Sequence, residues 1–323
     1  MRTNLSLPIG YSALITLLAV IGMFTGCSSL RNEVDPSQLG FAAPKLVVTS
    51  YLSPQDTNLA VKVTRSKTVV SDDSLDTGGS NVTNATVTLA EGNRSVTLRY
   101  NSPNSPVDSL KQPYYSASAR LLPIVAGRTY TLTVVTPNGE RATSTCTIPA
   151  PVRPTAVTFD STTENQGRSL LRRYYVLARW QDPPAQANYY QVTGFFQYTT
   201  KCDSCGAKQV GATQLSISDD NRGLFSDAGV DGTQMISGKA YVSSTPFTSN
   251  QLTNFYGQYR NATVTVNLMS VDQHYYQFQE AVIRQRRVRN NPFAEPVLIP
   301  SNIQGGLGCF AGYNNATLIL RLR

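Results

Sequence analysis

A single histidine stands among 323 residues, with one tryptophan and five cysteines. Having only His274, the chain cannot build a cluster of imidazoles, and a Ser-His-Asp hydrolase would have to use this one ring as its base. His274 lies beside Tyr275 and Tyr276, and no nucleophile-elbow motif occurs anywhere. Gly78-Gly79 and Gly305-Gly306 lack the Lys-Ser/Thr that completes a phosphate loop. Acidic residues are also scarce, 20 against 28 Lys and Arg, for a net charge of +8. Paired-carboxylate glycosidase chemistry stays open, since its two acids need only converge in space. No later segment is as apolar as residues 11–24, so none reaches the roughly 20 apolar residues that a membrane helix needs. These absences leave no enzyme signal, and a non-enzymatic protein without a cofactor is expected.

What is present begins at the N-terminus. Arg2 precedes an apolar segment from Tyr11 to Phe24, which closes on Thr25-Gly26-Cys27. That is the layout of a bacterial secretory signal cut before a cysteine. Residues 1–26 are therefore expected to be a lipoprotein signal peptide, and Cys27 the acylated residue that ties the protein to a membrane. Residues 27–44 hold this cysteine and a flexible tether without periodicity, whose end-to-end reach as a coil is ~20–25 Å. Everything after Cys27 then lies on one side of the membrane. A lipid-anchored envelope protein meets no nucleic acid, so the positive charge serves solubility or contact with anionic headgroups and acidic glycans. Part of that charge is local, in Arg284, Arg286, Arg287 and Arg289.

The body of the chain reads as all-β. It is rich in Tyr, Thr and Val and carries 22 Gly and 18 Pro, the composition of short strands separated by turns. At ~150 residues per domain, its length suggests two domains. The first, residues 45–150, has strand-like runs at Lys45–Leu52, Leu59–Arg65, Ala85–Leu89, Ser95–Tyr100, Thr129–Val135 and Arg141–Ile148. Their spacing and turn chemistry predict an immunoglobulin-like β-sandwich. Pro149, Pro151 and Pro154 cannot continue a central strand and mark the boundary.

The second domain, residues 156–323, is predicted as a β domain with strands at Val157–Phe159, Arg173–Trp180, Tyr189–Tyr198, Val210–Ile217, Thr263–Leu268 and Ala316–Leu322. Val297–Ile299 adds a short apolar run in its tail. The good helix candidate covers about 272–288. Asp272 is a plausible N-cap, Tyr275, Phe278, Val282 and Ile283 fall at helical spacing, and the terminal arginines suit the negative pole of the dipole.

Three groups of residues are candidates for function. Tyr189, Tyr190, Phe195 and Phe196 crowd one strand and could form an aromatic contact face. Cys202 and Cys205 have the spacing of a disulfide, a redox pair or half a metal site. Strand flanks argue against the redox reading, and an oxidising envelope favours a disulfide pinning a hairpin tip. Cys146 and Cys309 either staple the two domains or remain buried thiols. Asp219, Asp227 and Asp231 fall in one Asp- and Gly-rich stretch and either supply weak calcium ligation, without EF-hand spacing, or serve acidic turns.

The closing residues carry a resemblance. Asn291-Pro292-Phe293-Ala294-Glu295-Pro296, Ser301-Asn302-Ile303 and Gly305-Gly306-Leu307-Gly308-Cys309-Phe310 resemble the final motif of the domain-of-unknown-function 4249 family of Bacteroidota envelope lipoproteins. Asp182-Pro183 with Asn188-Tyr189-Tyr190 is similar to its central motif, and Lys45–Val48 and Gly127–Tyr130 to its N-terminal half. The Cys202/Cys205 pair lies outside that pattern. The resemblance implies location at the outer membrane, on its surface or periplasmic face, beside a TonB-dependent receptor. It implies an accessory or binding part in nutrient uptake. A hydrolase acting on an envelope or extracellular polymer, and a structural or adhesive surface lipoprotein, are the alternatives. In the closing motif, Asn302, Gly305 and Gly306 either contact a ligand or partner or form a strap and turn against the second sheet. Glycines there allow close backbone approach or positive φ.

Overall fold

The computed structural model describes residues 43–66, 80–101, 113–167, 169–201, 208–242, 247–248, 255, 259–288, 291, 293–295 and 297–322. The expected signal peptide, Cys27, and the Cys202/Cys205 pair lie outside the described residues. Among the described residues the protein is all-β, with sandwich-like packing and one long helix. In chain order the first half forms β1 (Leu46–Leu52), β2 (Asn58–Arg65), β3 (Thr86–Glu91), β4 (Arg94–Tyr100), β5 (Tyr115–Ser118), β6 (Thr129–Val135) and β7 (Arg141–Thr147). A long hairpin follows, β8 (Pro154–Gln166) and β9 (Ser169–Gln181), then β10 (Tyr189–Lys201) and β11 (Lys208–Gln214). Five short strands come next: β12 (Ser216–Ile217), β13 (Leu224–Ser226), β14 (Gln234–Ile236), β15 (Ala240–Tyr241) and β16 (Phe247–Thr248). β17 (Arg260–Val271), α1 (Gln273–Val288) and β18 (Leu307–Arg321) complete the order.

One sheet path runs β11-β10-β17-β18-β1-β2-β5-β4-β3-β6-β7, joining strands from both ends of the sequence. A second sheet is built around β9, which pairs β8, β14, β15 and β16. Alternation does the sorting. β1 buries Leu46, Val48 and Leu52 while its intervening residues are only partly covered, as a two-faced strand requires. These side chains meet Val61, Leu89, Leu132 and Val134 in a first core, which also takes in Ile303 and Phe310 from the C-terminal segment. A second core places Val176, Ala178 and Trp180 of β9 against Tyr190, Val192 and Phe196 of β10 and Val264, Val266 and Leu268 of β17.

The connection between these cores is β18. Its residues 307–312 pair in parallel with β1, from Val47↔Leu307 to Leu52↔Gly312. Its residues 313–321 pair antiparallel with β17, from Val271↔Tyr313 to Thr263↔Arg321. Gly308 to Gly312 are buried throughout, whereas the second half of the strand alternates. Phe310 enters the first core, and Cys309 and Ala311 enter a third cluster with Tyr275 and Ile283 of α1. A parallel neighbour so far away in sequence is not readable from local pattern, and the predicted last strand, Ala316–Leu322, covers only its second half.

Other differences have local causes. β8 extends to Gln166 through Asp160-Ser161-Thr162-Thr163-Glu164-Asn165, which pair residue by residue with β9. Such polar residues suit a strand whose faces are partly open, and Pro154 stands at its first position, where a missing N–H costs no ladder bond. Val297–Ile299 forms no strand. α1 confirms Asp272 as its N-cap, with the Tyr275 N–H donating to Asp272 Oδ1 at 2.7 Å and arginines in the last turn. Tyr275, Ala281 and Ile283 are its buried residues, so Ala281 replaces Val282 on the inner stripe. Among the described residues no helix is long and apolar enough to cross a membrane.

The closing glycines pack against the first core rather than the second sheet. Gly308 has φ +117°, and a Cβ there would lie 2.0 Å from the carbonyl oxygen of Val48. Gly305 has φ +78°, and its Cβ would lie 2.1 Å from the carbonyl oxygen of Arg141. Gly139 also has positive φ but faces open space. Gly308→Ala is therefore expected to lower stability by about 3 kcal/mol or more, and Gly139→Ala by only about 1–2 kcal/mol, the cost of a left-handed backbone alone. Urea unfolding of the two variants checks the contrast.

Candidate functional site

The two motifs singled out in the sequence build two separate loci. The central one begins where β9 ends. Asp182 is fully buried, and it accepts the Tyr190 phenol at 2.6 Å on Oδ1 and the Gly232 N–H at 2.9 Å on Oδ2. Asp227, also buried, accepts the Asn188 N–H at 2.8 Å. Asp231 accepts the Ala185 N–H, 3.1 Å from each carboxylate oxygen. The Asn188 amide donates to the carbonyls of Pro183 and Gln186. Ala185 has φ 68°, a strained conformation for a residue with a side chain, and the bond from its N–H holds it there.

One oxygen from each of Asp182, Asp227 and Asp231 lies within 4.8 Å of the others. Oxygen ligands at that separation are what a hard divalent cation takes. The same carboxylates are already bound by three backbone amides and a phenol, which tie the 182–190 turn to the 227–232 turn. Burial and the Asp182 carboxylate push the Tyr190 hydroxyl well above the usual phenol range, so it remains a proton donor to Asp182.

The sequence-level calcium set of Asp219, Asp227 and Asp231 is thus corrected. Asp219 is elsewhere, accepting the Gly223 N–H at 2.8 Å and packing beside Gly238, because β13 pairs with β10 and divides that stretch. Asp182 takes its place. Its signal was an acidic residue closing a strand before Pro183-Pro184, read only as a turn.

The proposed aromatic face does not exist as a face. Period-two alternation sends Tyr190 and Phe196 into the second core, both 1 % exposed. Tyr189 packs its ring 4.9 Å from that of Tyr276 on α1. Phe195 alone remains substantially exposed.

In the closing motif, the Asn302 side chain is spent on the backbone of Phe310. Its Nδ2 donates to the Phe310 carbonyl at 2.7 Å, and its Oδ1 accepts the Phe310 N–H at 3.0 Å. The Asn302 carbonyl accepts the Ser144 hydroxyl at 2.8 Å. Gln304 forms a backbone bridge to Thr143. A Cβ on Gly306 would lie 2.7 Å from the Leu46 carbonyl oxygen. These residues fasten the chain to β1 and β7, so Asn302, Gly305 and Gly306 have structural partners in place of an open ligand contact.

Asp272 is a structurally central residue whose role the sequence reveals only in part. Besides capping α1, it accepts the Gly312 N–H at 2.8 Å on Oδ2, and its own N–H donates to the Gly312 carbonyl at 3.0 Å. Burial pushes its carboxyl above the ordinary range, opposed by the Tyr275 and Gly312 amides. Cys146 and Cys309 are free, buried thiols. Burial raises both, Cys309 to about 12, so neither is a ready nucleophile.

Among the described residues this is an all-β, sandwich-like fold with one long helix. A family model described as a domain of unknown function, DUF4249, matches residues 30–319, and the chain belongs to that family. No curated protein matches the chain.

Two stability measurements follow. Asp182→Asn keeps one acceptor oxygen but cannot serve both the Tyr190 phenol and the Gly232 N–H, and a loss of about 1–3 kcal/mol is expected in urea unfolding. Asp272 has a raised folded-state pKa, so its contribution is greatest below the unfolded value of 3.8 and is lost as pH rises through the folded value. Asp272→Asn keeps the cap without this titration, so it should gain on the wild type as pH rises from about 4 to 7. A constant difference across that range would remove the assigned burial effect.

Proposed function

We propose that this chain is a non-enzymatic, lipid-anchored protein of the outer membrane that serves as an accessory or binding component of a TonB-dependent nutrient uptake system. The observation that carries the reading is the apolar segment 11–24 closing on Thr25-Gly26-Cys27 ahead of the tether. Acylation at Cys27 would hold a β body a short stretch of chain from the headgroups. Membership of the family, spanning residues 30–319, supports the comparison with lipoproteins that accompany such receptors.

The body itself favours binding over catalysis. His274 is exposed in the first turn of α1. The three carboxylates that the fold gathers hold backbone amides and a buried phenol instead of facing each other across a cleft. The positive net charge suits residence beside anionic headgroups.

Crosslinking in intact cells, followed by identification of the captured proteins, tests the partner. An outer-membrane TonB-dependent receptor is expected among them, and recovery of no such receptor would overturn the reading. Cys27→Ser provides the companion measurement: the variant should lose lipid labelling and leave the membrane fraction.

A further inference from the structure

A groove of about 340 Å³ opens between β7, the 302–304 segment and the first turn of α1. Thr131, Thr143, Ser144, Thr145, His274, Asn302 and Gln304 line it. The threonines are not scattered. Thr131 stands opposite Thr145 and Thr133 opposite Thr143 in the β6–β7 register, on the face of those strands that points away from the first core.

Among the described residues that line the groove there is no Asp, Glu, Lys or Arg. Among the described residues, no side-chain hydrogen bond engages the hydroxyls of Thr131, Thr143 and Thr145, the His274 ring or the Gln304 amide. Ser144 and Asn302, by contrast, are fixed, with Ser144 bound to Asn302 and Asn302 clamped on Phe310. The cavity therefore combines a rigid base with donors and acceptors that no protein side chain engages.

The backbone adds to this and limits what can enter. Thr143 exchanges both main-chain bonds with Gln304, at 2.9 and 2.8 Å. Alternation along an antiparallel strand then turns the N–H and C=O of Thr145 to the same outer edge of β7. One step further, Thr147 is covered by Gly312, where even a Cβ would come within 3.0 Å of the Thr147 carbonyl oxygen. A single residue of edge is open between two closures. An extended peptide needs several consecutive residues to add a strand, so the groove suits a compact ligand.

We propose that this groove binds a compact, neutral, polyhydroxylated ligand: one or two units of a saccharide. Each threonine hydroxyl both donates and accepts, as does a sugar hydroxyl, and the Gln304 amide and Thr145 backbone supply a matched donor and acceptor. Threonine methyls offer apolar contact to the C–H faces of a ring. With no Asp, Glu, Lys or Arg among the described lining residues, an ionic ligand finds no carboxylate, ammonium or guanidinium counter-charge once it is desolvated. The volume falls in the range of small-molecule sites, about 300–1,000 Å³. The proposal goes beyond the uptake reading and depends on neither the anchor nor a receptor.

Saturation-transfer NMR on the full chain, purified in a detergent without a sugar headgroup, tests it. The probes are glucose, galactose, mannose, xylose, maltose and cellobiose, with galacturonate and trialanine as charged and peptide comparisons. Transfer to at least one neutral sugar is expected. Thr131→Val and Thr145→Val conserve shape and strand preference, so the double variant should keep its melting temperature while affinity falls about fivefold per hydroxyl removed. His274→Ala should weaken the same sugar. The proposal is overturned if no neutral sugar receives transfer, if the folded variants bind as the wild type does, or if galacturonate or trialanine binds better. Failure here would leave the receptor crosslinking result untouched, and the reverse also holds.

Discussion

The fold depends on β18 and on the carboxylate that pins its midpoint. Up to Gly312 the strand pairs in parallel with β1; beyond it the strand pairs antiparallel with β17. Asp272 binds Gly312 through both its side chain and its backbone and caps α1 with its other oxygen. One residue thereby fixes the end of β17, the start of the helix and the point where β18 changes partners. A partly buried carboxylate is costly unless its oxygens are satisfied, and here two amides do so.

The glycines of the closing motif are the steric counterpart of this arrangement. β18 is covered on both faces between Gly308 and Gly312, with Phe310 in one core and Cys309 and Ala311 in another cluster. On the Phe310 side, the carbonyls of Val48 and Thr147 come so close that side chains at 308 and 312 would collide with them. Close packing of backbone on backbone is what a core at crystal-like density demands. It also explains why Asn302, which replaces a strand neighbour for Phe310 by bonding its N–H and C=O, belongs to the same motif. The motif is a fastening device, and the hydrophilic groove beside it is a consequence of how the fastened segment meets β7.

Most strands were legible because their signal is local. β6 is found at the predicted residues, Thr129–Val135, since Tyr130, Leu132 and Val134 alternate with threonines. The helix was legible for the same reason, with a cap, a stripe and terminal arginines all within one segment. β5, Tyr115–Ser118, was missed because four residues with a single buried aromatic leave too short a pattern. The polar half of β8 was missed because its strand character comes from pairing with β9, not from its own residues. At the candidate site the acidic stretch was visible, but Asp219 and Asp182 exchanged roles. Which aspartates converge is decided by β13 docking on β10, a contact that no spacing rule contains.

The sequence by itself determined the all-β class, the turn-rich strand order, the helix with its Asp272 cap and the family, because each rests on periodicity or on contiguous motifs. Tertiary structure alone decided that the last strand lies beside the first, that Tyr190 and Phe196 are core rather than surface, and that Asp182 joins Asp227 and Asp231. It also decided that threonines of β6 and β7 share a groove with His274. The physical reason is common to all four. Each depends on residues far apart in the chain meeting through backbone pairing and burial, whose energies become available only when the whole sheet has closed.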